Sequence, residues 1–152
     1  MLHKFLKTAL ILFLFTTVYS QINAQCAEIY FYRLNTLVQS DKVILLYQDG
    51  VEIAQIKKGD RYKAEVCSNG QFNFSVKTNS EEFSFSKQSL FVEKGKKYYV
   101  KITCPFTPEI ATINQKSEPI GKKDLKKGSK FNGAMRGIAL NTATNPSTNP
   151  AI

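Results

Sequence analysis

The sequence predicts an all-β fold, a single antiparallel β-sandwich of about seven to eight short strands with an irregular basic C-terminal tail. Three observations carry that expectation. Apolar side chains recur at every second position, most cleanly in QFNFSVKT (71–78), where Phe72, Phe74 and Val76 share one face. Turn residues punctuate the chain at the roughly 8–12-residue spacing of sandwich strands. Between residues 26 and 106 no stretch holds the period of about 3.6 that marks a helix.

The elements follow in order. AEIYFYR (27–33) is β-branched and aromatic, a strand with Tyr30 and Tyr32 on one face and Ile29 and Phe31 on the other. Large side chains on both sides imply that this strand is covered twice. KVILLYQ (42–48) and VEIAQI (51–56) flank Asp49-Gly50. A two-residue hairpin loop of type I′ needs positive φ at both central positions, and Asp-Gly tolerates that. KKGD (57–60) turns the chain at Gly59 into RYKAEVC (61–67), and SNG (68–70) turns it into 71–78. After NSEE, FSFSKQ (83–88) alternates with Phe83 and Phe85 inward. Residues 90–93 and 97–103 form the last pair around Gly95. Tyr98 shares a face with Val100 and Ile102, hence the core; Tyr99 goes with Lys97 and Lys101, hence solvent.

Residues 1–24 have the layout of a secretory signal peptide: a basic start (His3, Lys4, Lys7), an uncharged apolar run (8–18), then small and polar residues. The run falls short of the ~20 residues a spanning helix needs. Cleavage is expected after Ala24, with Ser20 as a second site, leaving Gln25 first and Cys26 next. A cysteine at that place can carry a bacterial lipid anchor. Gln25 stands where lipoprotein processing wants a small residue, so lipidation at Cys26 is the alternative to an ordinary cysteine. The expected location is the periplasm or beyond, with outer-membrane association as a further option.

Export permits disulfides. Three cysteines allow one bond, and Cys67 with Cys104, each at a predicted strand end, is the expected pair. Parity argues against it: Cys67 falls on the polar face of its strand and Cys104 on the apolar face of its own. Cys26 with either partner stays open.

The net charge is +9, and it is uneven. Residues 25–114 hold 12 basic and 10 acidic side chains, whereas 115–152 hold seven and two. The domain spans 25–106, and 107–152 is read as a basic, largely disordered extension that holds at most one further short strand, around 109–113. Removing residues 115–152 is therefore expected to leave the melting of the sandwich unchanged. Lys122, Lys123, Lys126, Lys127 and Lys130 are its candidates for contact with an anionic surface, a membrane included. A near-neutral body is not a nucleic-acid platform.

Catalysis is not expected. The lone histidine, His3, leaves with the signal peptide, which removes Ser-His and Cys-His nucleophiles and the common zinc sites. No phosphate loop, dinucleotide fingerprint, EF-hand or CxxC occurs, so no cofactor is implied. Glu81 and Glu82 are adjacent in a turn, a place for solubility more than for a glycosidase pair.

One set of residues resembles a known family. Tyr30-Phe31-Tyr32-Arg33, Asp49-Gly50, Lys58-Gly59 and Gly95-Lys96-Lys97-Tyr98-Tyr99-Val100 are similar to the strand and turn motifs of a bacterial domain-of-unknown-function family of small exported or lipid-anchored β-domains. The resemblance covers about residues 27–103. The Asn-Ala-Gln at the end of the leader is similar to leaders of Bacteroidetes. The resemblance implies fold and compartment and brings no activity. Arg33 and Tyr99 become candidate partner contacts, with an ordinary ion pair to Glu65 as the simpler role for Arg33. The expected function is a non-enzymatic envelope module that binds a protein or a cell-wall polymer, through loops or an edge strand. A lipid-anchored accessory domain and a small glycan-acting enzyme are the alternatives.

Overall fold

A computed structural model describes residues 25–38, 40–79, 86–106, 110–127 and 131–140. The expected signal peptide (1–24), Glu81 to Phe85, Lys130 and residues 141–152 lie outside the described residues.

The fold is an all-β sandwich. Its strands are β1 (Ala27–Tyr32), β2 (Ile44–Gln48), β3 (Val51–Ile56), β4 (Arg61–Val66), β5 (Gly70–Thr78), β6 (Ser86–Val92), β7 (Lys97–Thr103), β8 (Thr112–Lys116) and β9 (Arg136–Gly137), with helix α1 (Glu118–Leu125) between the last two. One sheet has the order β8-β7-β1-β4-β9 and the other β3-β2-β5-β6. The pairing is mostly antiparallel, but β1–β7 and β4–β9 are parallel. Residues 86–88 and 90–92, from two runs expected as separate strands, belong to the single strand β6, which runs antiparallel to β5 from Val76↔Ser86 to Gly70↔Val92.

Period-2 alternation does the folding. Ile29, Phe31, Ala64, Val100 and Ile102 of the first sheet face Ile44, Leu46, Phe72, Phe74 and Val76 of the second, all buried in one core. Phe31 meets Phe74 edge-on, with ring centroids 5.0 Å apart. Asp49 and Gly50 have φ of 48° and 85°, the doubly positive pair that the β2–β3 hairpin required.

The region after Pro105 is the main correction. Rather than a disordered extension, its described residues fold onto the sandwich. β8 pairs with β7, α1 lies over the first sheet, Phe131 is buried, and β9 adds to β4. Ile138 and Leu140 pack against the core. Composition hid this because the segment has few apolar residues, and their packing partners are far away in sequence.

Candidate functional site

Three of the tyrosines singled out in the sequence, Tyr30, Tyr32 and Tyr99, share the outer face of the first sheet. Register sets their rows. Tyr30 sits between Lys63 and Tyr99, Tyr32 between Arg61 and Lys101, and Glu28 between Glu65 and Lys97. The parallel β1–β7 ladder stacks Tyr30 on Tyr99, centroids 5.3 Å apart and rings within 10° of parallel. α1 then covers this layer. Gly121 meets the Tyr99 ring so closely that a Cβ there would stand 2.2 Å from Cγ. Tyr32 donates a hydrogen bond to Asp124 Oδ2 (3.2 Å), and its ring meets Phe131 edge-on. Burial, followed by the charge of Asp124, pushes the Tyr32 phenol well above its ordinary pKa. The expectation that β1 is covered on both sides holds. The expectation that Tyr99 faces solvent as a partner contact does not: it is buried. Parity placed it correctly on the outer face, but the cover arrives from α1 and Phe131.

Beside α1 the outer face is a charge lattice. Glu28 accepts from Lys63 (2.5 Å), Lys97 (2.7 Å) and Tyr30 (2.8 Å), and Lys63 also reaches Glu65 (2.9 Å). The bonds from Lys63 and Lys97 hold the Glu28 carboxyl at a pKa of about 2, against an ordinary 4.5. These groups satisfy one another and pin β1 to β4 and β7. Among the described residues no three metal-ligating side chains cluster.

Arg33 is the second correction. It is completely buried, so it is neither a surface clamp nor a partner of Glu65, which lies on the opposite face of the sheet. Its guanidinium donates to the carbonyls of Ser40 (2.5 Å), Lys42 (2.6 Å) and Ile56 (3.3 Å). Its backbone N–H donates to Asp60 O, and its carbonyl accepts from Gly59 N–H. Arg33 therefore ties the loop after β1 to the β3–β4 turn. The signal was present: Arg33 has the parity of Ile29 and Phe31 and so points inward. Desolvation lowers its pKa, yet a guanidinium starts so high that it stays charged. Gly59, at φ 85°, lies under Asn132, which donates to the carbonyls of Lys58 and Gly59.

The disulfide is the third correction. Cys26 pairs with Cys67, and Cys104 is a buried thiol. The β1–β4 register matches Ala27 to Val66, so one step outward brings Cys26 opposite Cys67. Both lie on the outer face, whereas Cys104 continues the inward series of Val100 and Ile102, the conflict that its parity had announced. Cys26 Sγ is thereby occupied, and a thioether-linked lipid needs that same sulfur.

Of the lysines expected to contact an anionic surface, Lys122 and Lys123 lie on α1, and Lys126 and Lys127 directly follow it. Lys122 bonds Glu118 (2.5 Å) and Lys127 approaches Asp124 (3.6 Å), while Lys123 and Lys126 project to solvent.

The second sheet is different. Its outer face carries Leu45 and Tyr47 of β2, Asn73, Ser75 and Lys77 of β5, and Ser89 and Phe91 of β6. Asn73 donates to Asp49 (3.1 Å) and accepts from Ser89 (2.8 Å). The sheet edges differ as well. β8 lies against β6, where Ile113 N–H donates to Ser86 Oγ (3.2 Å) and Gln115 N–H to Gln88 Oε1 (3.4 Å). β9 closes β4. β3 is terminal, and among the described residues no strand pairs with its outer edge. Comparison with protein-family models, curated proteins and solved structures finds no match.

Proposed function

We propose that this is an exported envelope protein that works by binding, taking an extended segment of a partner polypeptide along the free edge of β3. One observation carries this reading: among the described residues no strand pairs with the outer side of β3, a strand of six residues, while the other edges are shielded or cut short. Tyr62 OH donates to Gln55 O (2.9 Å), so that carbonyl leaves the ladder on the side away from β2. The N–H of a strand residue points the same way as its C=O. Gln55 N–H is thus a donor offered to an added strand. The Cys26–Cys67 bond supports export, since disulfides persist in oxidising compartments. It also favours a released form over one anchored through Cys26.

The test is cross-linking in the native envelope followed by recovery of the tagged protein. One partner protein is expected with the parent and is lost with Gln55→Pro, which removes an N–H that β2 does not use. Glu52→Lys, an edge charge, serves as a second variant. Recovery of the same partner with both variants would sink the edge-strand reading. Recovery of a wall polymer in its place would move the binding surface to the polar outer face of the second sheet.

A further inference from the structure

We propose that the α1 side of the sandwich is a membrane-docking surface for acidic lipid headgroups. Charge on this molecule is one-sided. Lys123 and Lys126 stand on the solvent-facing crown of α1, and Lys116 closes β8 beside it. Among the described residues none of these three pairs with a carboxylate. Lys122, Lys97 and Lys96 extend the patch, each sharing its charge with one acidic partner: Glu118, Glu28 and Glu93. Lys96, Lys97 and Lys116 border one open hollow of about 470 Å³ with Glu118. The opposite face of the sandwich is balanced, with Lys77 and Lys87 offset by Glu52 and Asp49.

Two features make this patch a surface for a bilayer in particular. Ile120 is 52% exposed among the lysines, at the edge of the same crown. An apolar side chain one turn from Lys123 fits the headgroup boundary, where the lysines meet phosphate and the isoleucine meets acyl carbon. The platform is also rigid. Gly121 is seated on Tyr99, and Asp124 is held by Tyr32 and Lys101, so docking orders little that is not already ordered. The partner-binding edge of β3 belongs to the other sheet and stays free on a docked molecule.

The experiment is co-sedimentation of the purified protein with phosphatidylcholine vesicles, with and without phosphatidylglycerol, at low and high salt. Binding is expected to the acidic vesicles alone and to weaken steeply as salt shortens the Debye length. The triple variant Lys116→Gln, Lys123→Gln, Lys126→Gln should melt like the parent and bind acidic vesicles about tenfold more weakly or worse. Ile120→Ser should weaken vesicle binding and leave binding to soluble dextran sulfate unchanged. Gln55→Pro should leave vesicle binding untouched, which separates this surface from the β3 edge. Equal binding to neutral vesicles, parental binding by the triple variant, or capture of dextran sulfate without any vesicle binding would each overturn the proposal.

Discussion

Arg33, Gly121 and Glu28 are the single residues on which most depends. Arg33→Met would keep the aliphatic stem and remove the guanidinium that donates to the buried carbonyls of Ser40 and Ile56 and the half-buried one of Lys42. A loss of about 3 kcal/mol is expected in urea unfolding, from the unmet desolvation of those groups. Gly121→Ala puts a methyl into the Tyr99 ring, so α1 must lift. A cost of about 2 kcal/mol is expected, in line with overpacking of a well-filled contact. Glu28 makes stability depend on pH in a defined window. Its folded pKa lies below the unfolded one, so its contribution is complete above about pH 4.5 and is lost as pH falls toward 2. Glu28→Gln should flatten that part of the acid limb in a pH series of chemical melts; an unchanged limb would assign the acid sensitivity elsewhere.

At the scale of elements, the β2–β3 hairpin and the segment after β7 behave oppositely with respect to legibility. The hairpin was readable because its constraint is local: positive φ at Asp49 and Gly50 selects those residue types wherever they lie. Replacing them by Pro and Val should unfold the domain, since proline is confined to φ near about −65°. Thermal melting that stays as in the parent would contradict the turn. The segment 115–140 was not readable, because its order comes from a few long-range contacts. Asp124 meets Tyr32, Phe131 meets Arg61 at 4.9 Å, and Asn132 meets Gly59. The expectation that truncation after Asn114 leaves melting intact is therefore reversed. Exposing Tyr32 and Tyr99 should cost on the order of 3 kcal/mol or more, a shift of about 10 °C or more in Tm for a domain of this size.

The whole molecule is a sandwich with unlike sides. One sheet is roofed by a helix and closed by a disulfide; among the described residues nothing roofs the outer face of the other, and no strand pairs with the outer edge of its terminal strand β3. The Cys26–Cys67 bond closes a loop of 41 residues, for which chain entropy gives about 4 kcal/mol. Reduction, or Cys26→Ser with Cys67→Ser, should lower stability by that order. Cys104→Ser should leave the bond intact, and loss of the bond in that variant would restore the Cys67–Cys104 pairing.

Sequence by itself determined the fold class, the strands with clean alternation, the Asp49-Gly50 turn and the double covering of β1. Each of these is encoded by neighbours within one or two positions, where pleat and backbone φ act. It also contained the inward parity of Arg33 and the mismatch between Cys67 and Cys104. Tertiary structure alone decided the rest: the parallel docking of β7 on β1, the seat of α1 on Tyr99, the partner of Cys67, and the free edge left to β3. Those outcomes depend on register between strands far apart in the chain. The side-chain period along one strand cannot specify which neighbour it will meet.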